Sequence, residues 1–306
     1  MKPIIDLHTD LIHSYLKFGN PQLFKEVRKQ MTISSLKKSG VKLFFAGLSG
    51  DDENKDTFKQ IQLYRDLFKK NNINLVLGVS DIKNILNSRS SILHIEGGEL
   101  IKDLECFDKF YALGIRSVGL AFSEVNRLAC GATINTKDDF GLTRIGKLIV
   151  KKCNLSGVIV DLAHASEKTF KQTLNTVNKP PIITHTACRA LLEHPRNTSD
   201  KQIKEIAKNG GLIGIFFSKK FISNQEKVGT IEVLKHFVHV ADLVGTKYLA
   251  IGSDFAGISK GTPDGLEGYS KLSFLLKSMR KVGFSKNEVE DIAFNNVYKY
   301  LKQVLI

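Results

Sequence analysis

The chain has 306 residues, with 45 Lys or Arg and 31 Asp or Glu, and its formal net charge is +14. The basic residues are scattered, in pairs such as Lys37 and Lys38, and no aromatic residues alternate with them, which argues against a nucleic-acid partner. No stretch stays apolar for the ~18 residues of a membrane span and no apolar leader precedes the first element, so we expect a cytoplasmic protein without a membrane partner.

Short apolar runs alternate with longer amphipathic stretches along the chain. Strands are predicted at residues 4–8, 41–48, 73–79, 92–96, 115–122, 157–164, 181–185, 211–217 and 248–255. Helical patterns lie between them, for example at residues 140–154, 167–177 and 199–211. The last of these has Ser199 as its expected N-cap and Gly210 as its expected C-cap.

Eight repeats of a strand followed by a helix indicate the fold class. Nearly continuous apolar strands are typical of a parallel sheet covered by helices, and eight such units close into an α/β (β/α)8 TIM barrel. The run at residues 73–79 exceeds this count and is predicted to be an extra strand. No Pro-rich or Gly-rich linker divides the sequence, so we expect one domain over residues 1–306.

Polar residues occur at the carboxyl ends of the predicted strands, on the barrel face that carries active sites. Any one of them alone would be interpreted as a structural residue. Several carboxylates and imidazoles buried together without a cation would carry a large desolvation cost. The residues in question are His8, Asp10, Glu96, His164, His185 and Asp254.

A divalent metal would remove that cost. Imidazole and carboxylate ligands suit Zn²⁺, with Mn²⁺ or Co²⁺ as substitutes, and there are too many ligands for one tetrahedral catalytic ion. Two ions sharing a carboxylate fit better, and Glu96, which two glycines follow, is the expected bridge. Such a pair lowers the pKa of a bound water and polarises a carbonyl, which is chemistry for amide or ester hydrolysis. The four cysteines lack short metal-ligand spacing and are expected to be reduced thiols.

Seven motifs follow one another over almost the whole chain: IIDLHTDL, HIEGGE, LAFSEVNRLACG, FGLTRIGKLIVKKCNLSGVIVDLAHAS, PPIITHTACRALLEHPRNTSD, KNGGLIGIFF and IGSDFAGI. In order and spacing they resemble the membrane dipeptidase (renal dipeptidase) family of zinc metallopeptidases, in the amidohydrolase superfamily. The resemblance implies a (β/α)8 barrel, two Zn²⁺ per chain, and hydrolysis of free dipeptides, including ones with a carboxyl-terminal D-amino acid. It also implies that His8 and Asp10 bind the first zinc, His164 and His185 the second, and Glu96 both.

The resemblance assigns two further roles and shows three departures. Asp254 matches the acidic residue that carries a proton from the attacking water to the leaving amine, and Arg196 matches the arginine that holds the substrate's terminal carboxylate. Phe122 stands where relatives have His or Trp at a substrate-contacting position. Ala256 and Glu99 replace residues that are often acidic and His, respectively. These departures leave the substrate preference open.

Two other functions compete with a dipeptidase. One is another amidohydrolase reaction, such as N-acyl amino acid deacylation or cyclic amide hydrolysis. Many barrels of that superfamily bridge their metals with a carboxylated lysine on the fourth strand, and IRSVGLAF at residues 115–122 has no lysine. The other is a non-catalytic barrel that binds a partner, which the full set of matching ligands disfavours. The natural dipeptide, its stereochemistry and a homodimeric state stay open.

Overall fold

The computed structural model describes residues 2–12, 30–49, 56–258 and 261–306. This part of the chain contains nine β-strands. They are β1 (Ile4–Thr9), β2 (Val41–Ser49), β3 (Ile73–Leu75), β4 (Arg89–Glu96), β5 (Ile115–Gly119), β6 (Ile159–Asp161), β7 (Ile183–Thr186), β8 (Ile213–Ile215) and β9 (Leu249–Ile251).

Helices follow the strands along the chain. In the described residues they are α1 (Ile33–Lys38), α2 (Thr57–Asn71), α3 (Val79–Ile82), α4 (Leu104–Ala112), α5 (Arg144–Ser156), α6 (Glu167–Leu174), α7 (Asp200–Lys208), α8 (Lys219–Ile222), α9 (Thr230–Val244), α10 (Leu272–Lys281), α11 (Lys286–Glu290) and α12 (Asn296–Val304). A π-helical turn at Asp291–Asn295 joins α11 to α12.

Helix α7 tests the predicted caps. Ser199 is its N-cap, as predicted, and the Ser199 side chain accepts a hydrogen bond from the backbone of Gln202. The predicted C-cap was wrong by one residue, because the helix ends at Lys208 and Asn209 is the C-cap. Gly210 follows with φ of 75°, a left-handed conformation that glycine adopts without a steric penalty and that turns the chain out of the helix.

All strand pairs are parallel, in the order β6-β5-β4-β2-β1-β9-β8-β7. The two ends of this order meet where Asp161 of β6 bridges to Ile182, and backbone hydrogen bonds from Leu162 to Ile182 and from Ile182 to Val160 close the barrel. The extra strand is confirmed, but it covers Ile73–Leu75 and not the whole predicted run at residues 73–79. Within the described part of the chain, β3 pairs with the amino-terminal residues Arg89–Ser91 of β4, whose later residues pair with β5. The fold is therefore an eight-stranded (β/α)8 barrel with one short additional strand.

Several strands are shorter than predicted at their carboxyl ends. The run at residues 157–164 gives a strand only over Ile159–Asp161, and the run at 248–255 only over Leu249–Ile251. His164 and Asp254 lie beyond these strands with φ of 63° and 62°. A left-handed residue cannot continue a β-strand, so neither strand could reach the end of its apolar run.

Helix α12 covers the amino end of the barrel. Its residues Val297, Leu301 and Val304 belong to a buried cluster with Ile5 and Leu7 of β1. The Tyr300 hydroxyl donates to the carbonyl of Pro180, just before β7, and the Asn296 amide donates to the carbonyl of Leu249, where β9 begins. The opposite face, at the carboxyl ends of the strands, is left for the polar site. Among the described residues no helix combines the length and apolarity needed to cross a bilayer.

Candidate metal centre and active site

The six polar residues predicted at the strand ends meet on one rim of the barrel. His8 lies within β1, Asp10 directly follows it, Glu96 is the last residue of β4, and His185 lies within β7. His164 and Asp254 are in the loops that follow β6 and β9. The prediction that these side chains gather on one face is thus confirmed by their positions.

Glu96 lies at the centre of the group. Its Oε1 is 3.1 Å from Nε2 of His164 and 3.4 Å from Nε2 of both His8 and His185. Nε2 of His8 is also 3.3 Å from Oδ1 of Asp10 and 4.0 Å from Oδ1 of Asp254. Two ligand atoms bound to one tetrahedral Zn²⁺ at about 2.0–2.2 Å lie roughly 3.3–3.6 Å apart. The spacing of these atoms therefore suits metal coordination.

The hydrogen bonding of His8 points the same way. His8 is fully buried, and neither of its ring nitrogens makes a hydrogen bond with another described residue. A buried imidazole left in this state is costly unless another ligand satisfies it. Within the described part of the chain, two groups of potential ligands share this histidine: one adds Glu96 and His185, the other Asp10 and Asp254. These imidazole and carboxylate donors are of the kinds that hold a divalent metal ion.

The buried carboxylates of the rim carry negative charge that a cation would balance. Burial lowers the pKa of His8, but the negative charges of Glu96 and Asp10 outweigh burial and hold this pKa well above its ordinary value. Burial raises the pKa of Glu96, yet His8 and His164 hold it well below the usual range. Burial lowers the pKa of His164 to about 4 and that of His185 well below its ordinary value. His164 and His185 are thus neutral beside an ionised Glu96, which is the form in which these residues bind a metal, while the raised pKa of His8 reflects the negative charge that surrounds it.

Asp254 differs from the other carboxylates. Burial and the neighbouring charge of Asp10 raise its pKa well above the ordinary value. A raised pKa is common among the carboxyl groups that transfer protons in active sites. Its backbone φ of 62° is unusual for a residue with a side chain, and such strain concentrates at functional sites.

Glycines allow the carboxylates to come close together. A Cβ added at Gly257 would lie 2.0 Å from Oδ2 of Asp10 and 2.7 Å from Oδ1 of Asp254. One added at Gly47 would lie 2.5 Å from Oδ1 of Asp10. A side chain at either position would therefore displace the Asp10 carboxylate, and sequence reasoning missed both glycines. The signal was present in IGSDFAGI, where a glycine follows Asp254 by three residues.

A cavity of about 230 Å³ opens above the cluster, and Arg196 lines it together with the candidate ligands. The Arg196 side chain is buried, its Nη2 donates to the carbonyl of His185 at 3.0 Å, and its Cζ lies 5.5 Å from the Phe216 ring centroid. Among the described residues no carboxylate lies within 4.0 Å of its guanidinium: Glu193 lies near Arg189, and Asp200 pairs with His239.

The three departures occupy different places. Phe122 lines the cavity and stacks on His164, with ring centroids 4.6 Å apart. Glu99 accepts a hydrogen bond from the Asn126 side chain and folds back beside Gly97. The backbone N–H of Ala256 donates to Gln30. Of the three, Phe122 is the one that lines the cavity.

Sequence reasoning also missed a polar layer beneath His185. Asp161 and Thr184 are fully buried, and Thr184 forms hydrogen bonds with both Asp161 and His185. Nearby, His94 forms a hydrogen bond with Ser117. The signal was an aspartate inside the apolar run GVIVDLAH, at a position where a buried carboxylate needs several donors.

Comparisons with known proteins point to one family. The family model described as membrane dipeptidase (peptidase family M19) matches residues 1–305. An uncharacterised dipeptidase of Schizosaccharomyces pombe is 32% identical over 71% of this chain and 53% of its own length. Dipeptidase tcpJ of Claviceps purpurea is 31% identical over 82% of this chain and 60% of its own length. Dipeptidase 3 of Rattus norvegicus is 26% identical over 99% of this chain and 65% of its own length. The chain thus spans between about half and two thirds of the length of these curated relatives.

Solved structures share the fold over nearly the full length. A dipeptidase of peptidase family M19 has a TM-score of 0.89, with 23% identity over 99% of both chains. A metallopeptidase from Rhodobacter sphaeroides, liganded with a phosphinate mimic of the dipeptide L-Ala-D-Ala, has a TM-score of 0.88, with 22% identity over 99% of both chains.

Proposed function

This chain belongs to the membrane dipeptidase family, peptidase family M19, and we propose that it is a metal-dependent dipeptidase that hydrolyses the peptide bond of free dipeptides. One observation carries the proposal: a buried arginine that has no carboxylate within 4.0 Å among the described residues lines the same cavity as the metal-ligand cluster. A dipeptide supplies a carboxylate and a scissile carbonyl close enough together to reach both.

The metal centre of the proposal holds two Zn²⁺, which Mn²⁺ or Co²⁺ can replace. His8 and Asp10 would hold one ion and His164 and His185 the other, and Glu96 would be shared by both, because its Oε1 lies within 3.4 Å of Nε2 of all three histidines. When bound, the ions would polarise the substrate carbonyl and lower the pKa of a water molecule. The protein contributes a buried rim that fixes the ligands in place.

Asp254 is the proposed acid and base of the reaction. It lines the cavity, its Oδ1 is 4.0 Å from Nε2 of His8, and its pKa is raised by burial and by Asp10. It accepts the proton of the attacking water and then donates it to the leaving amine. Its position beside Asp10 keeps the proton within reach of the reacting atoms.

Arg196 is the proposed carboxylate clamp. Burial of an unpaired guanidinium is costly, and a substrate carboxylate repays that cost with charge-assisted hydrogen bonds. One Arg196 nitrogen is already committed to the carbonyl of His185, which fixes the side chain at a set distance from a candidate metal ligand. This fixed distance favours substrates whose scissile carbonyl lies one residue before a free carboxyl end.

The stereochemistry and location of the reaction also belong to the proposal. The Rhodobacter sphaeroides relative was solved with a mimic of L-Ala-D-Ala, so we include dipeptides with a D-amino acid at the carboxyl end. Phe122 forms an apolar wall beside this substrate.

All four cysteines are free, as expected of a protein in a reducing compartment such as the cytoplasm.

The test is a substrate panel on metal-loaded protein. It contains free dipeptides varied in residue and chirality at each position, the same dipeptides amidated at the carboxyl end, and N-acyl amino acids. We expect hydrolysis of the free dipeptides and little of the amidated ones. Faster hydrolysis of N-acyl amino acids or cyclic amides would favour the alternative amidohydrolase function. Bound metal without turnover of any substrate would favour a binding protein.

A further inference from the structure

Three buried residues form a hydrogen-bonded chain that ends on the candidate ligand His185. Oγ1 of Thr184 is 2.6 Å from Oδ2 of Asp161 and 2.9 Å from Nδ1 of His185. Asp161 is the last residue of β6, and Thr184 and His185 are neighbours in β7, so the chain crosses the seam where the barrel closes. All three residues are at most 2% exposed, so water does not compete for these bonds.

The other bonds of Asp161 set the direction of this chain. Its Oδ1 accepts the backbone N–H groups of Ala163, at 2.9 Å, and Thr184, at 2.8 Å. Burial raises the pKa of Asp161, but these two backbone donors and the Thr184 hydroxyl stabilise its ionised form, which only accepts. The single hydroxyl proton of Thr184 must then point to Oδ2, and the Thr184 oxygen is left to accept a proton from Nδ1 of His185.

We propose that Thr184 is a positioning residue which, with Asp161, fixes His185 in the tautomer protonated at Nδ1, so that the Nε2 lone pair faces the metal centre. This inference rests on the proposed function, in which His185 is a metal ligand. In this tautomer the bare Nε2 points towards Oε1 of Glu96 at 3.4 Å and Nε2 of His164 at 3.1 Å. Partners of this kind orient metal-binding histidines and raise their basicity.

His164, which faces His185, is held differently. Its Nδ1 is buried without a hydrogen-bond partner among the described residues, and its ring stacks on Phe122. His94 approaches the same carboxylate, with its Nε2 3.5 Å from Oδ2 of Asp161, but its Nδ1 is bonded to Ser117. Thr184 therefore connects Asp161 to one candidate ligand, His185, and a Thr184 variant should change that ligand selectively.

The opposite assignment has a distinct signature. A protonated Asp161 would donate to Thr184, Thr184 would donate to Nδ1 of His185, and the imidazole proton would move to Nε2, where it blocks coordination. Asp161→Asn should impose this state, because the two backbone donors require the amide oxygen on their side and leave the amide NH₂ facing Thr184.

The experiment reads the tautomer in metal-free protein labelled with ¹⁵N-histidine, by long-range ¹H–¹⁵N correlation, with the His185 signals identified by their loss in His185→Gln. Zinc affinity is measured by competition with a chelator. In wild type, neutral His185 should carry its ring proton on Nδ1. Thr184→Val should give a mixture of tautomers and zinc affinity lower by about 10-fold to 100-fold. Thr184→Ser should restore both, and Asp161→Asn should shift the proton to Nε2.

A matched control is Thr173→Val, which removes an equally buried hydroxyl bonded within α6, far from His185, and should leave tautomer and affinity unchanged. A proton on Nε2 in wild type, or unchanged tautomer and affinity in Thr184→Val, would overturn the inference. If Thr184→Val does not fold, the Ser and Asn variants decide it. Wild-type protein that binds no zinc would refute the proposed metal centre, while the tautomer would still report on Thr184.

Discussion

The Nε2 atoms of His164 and His185 lie 3.1 Å apart, and both face Oε1 of Glu96. Two imidazole nitrogens at this distance can share at most one proton, so at least one lone pair points at the other ring or at the carboxylate. A lone pair that faces another lone pair or the carboxylate is repelled by it, and a cation bound at the two nitrogens would relieve that repulsion. The pair therefore connects the sequence pattern to the proposed metal centre.

Glu96→Gln should remove most of the bound metal. The substitution keeps the size of the side chain but removes the negative charge between the two proposed ion positions. After dialysis against a weak chelator, we expect about two zinc ions per wild-type chain and fewer than about one in the variant. Glu193→Gln, at an exposed glutamate, is the control and should retain the wild-type content. Retention of both ions in Glu96→Gln would show that Glu96 is not the bridge.

Asp254→Asn should separate catalysis from metal binding. An amide cannot accept and release the proton, so kcat should fall by about 10²-fold to 10⁴-fold, with the metal content unchanged. Turnover and metal content are measured on the same preparation, since Oδ1 of Asp254 lies only 4.0 Å from Nε2 of His8. Asp108→Asn, at an exposed residue paired with Lys152, is the control. Loss of metal together with activity would instead make Asp254 a ligand.

His236 should make the protein less stable in mild acid. Burial lowers its pKa to about 4, and its ring accepts the backbone N–H of Cys188 and donates to the carbonyl of Ile222. Between pH 6.5 and 4 the unfolded state binds a proton that the folded state excludes, so stability falls as the pH falls. From pH 7 to pH 5 this loss amounts to about 2 kcal/mol.

The measurement is urea unfolding of metal-loaded protein at both pH values. In His236→Gln, the loss of unfolding free energy between pH 7 and pH 5 should be smaller than in wild type by that amount. Cys188→Ala disturbs the same contact but removes no group that titrates in this interval, so it should keep the wild-type difference. An equal pH dependence in wild type and His236→Gln would contradict the prediction.

The rim of the barrel was predictable because each candidate ligand is a polar residue at the end of an apolar run. Its local geometry was not. His164 and Asp254 follow their strands in the left-handed conformation, which is usually marked by glycine in a sequence. Because neither residue is a glycine, the sequence did not indicate these turns. Contacts across the seam were equally hidden: Asp161 and Thr184 are 23 residues apart and meet only because β6 and β7 close the barrel.

Arg196 was predicted as a carboxylate clamp because its motif resembles that of the family, but an arginine so close in sequence to Glu193 and Asp200 could instead pair with one of these acids. The structure excludes those two pairs, since both acids lie beside other residues. Arg196 is instead buried, with one nitrogen bonded to the carbonyl of His185 and its guanidinium near the Phe216 ring. A planar guanidinium suits this site because it can bond the carbonyl and a carboxylate at once.

Arg196→Lys should therefore raise KM for free dipeptides by roughly 10-fold to 100-fold, since an ammonium keeps the charge but loses the paired hydrogen bonds. Steady-state kinetics with free and carboxyl-amidated dipeptides provide the measurement. Wild type should strongly prefer the free form, and Arg196→Lys should narrow that preference. Arg65→Lys, at an exposed arginine that donates to the carbonyl of Leu113, should behave like wild type. If wild type and Arg196→Lys treat both substrates alike, Arg196 does not hold the carboxylate, and the substrate is recognised by another group.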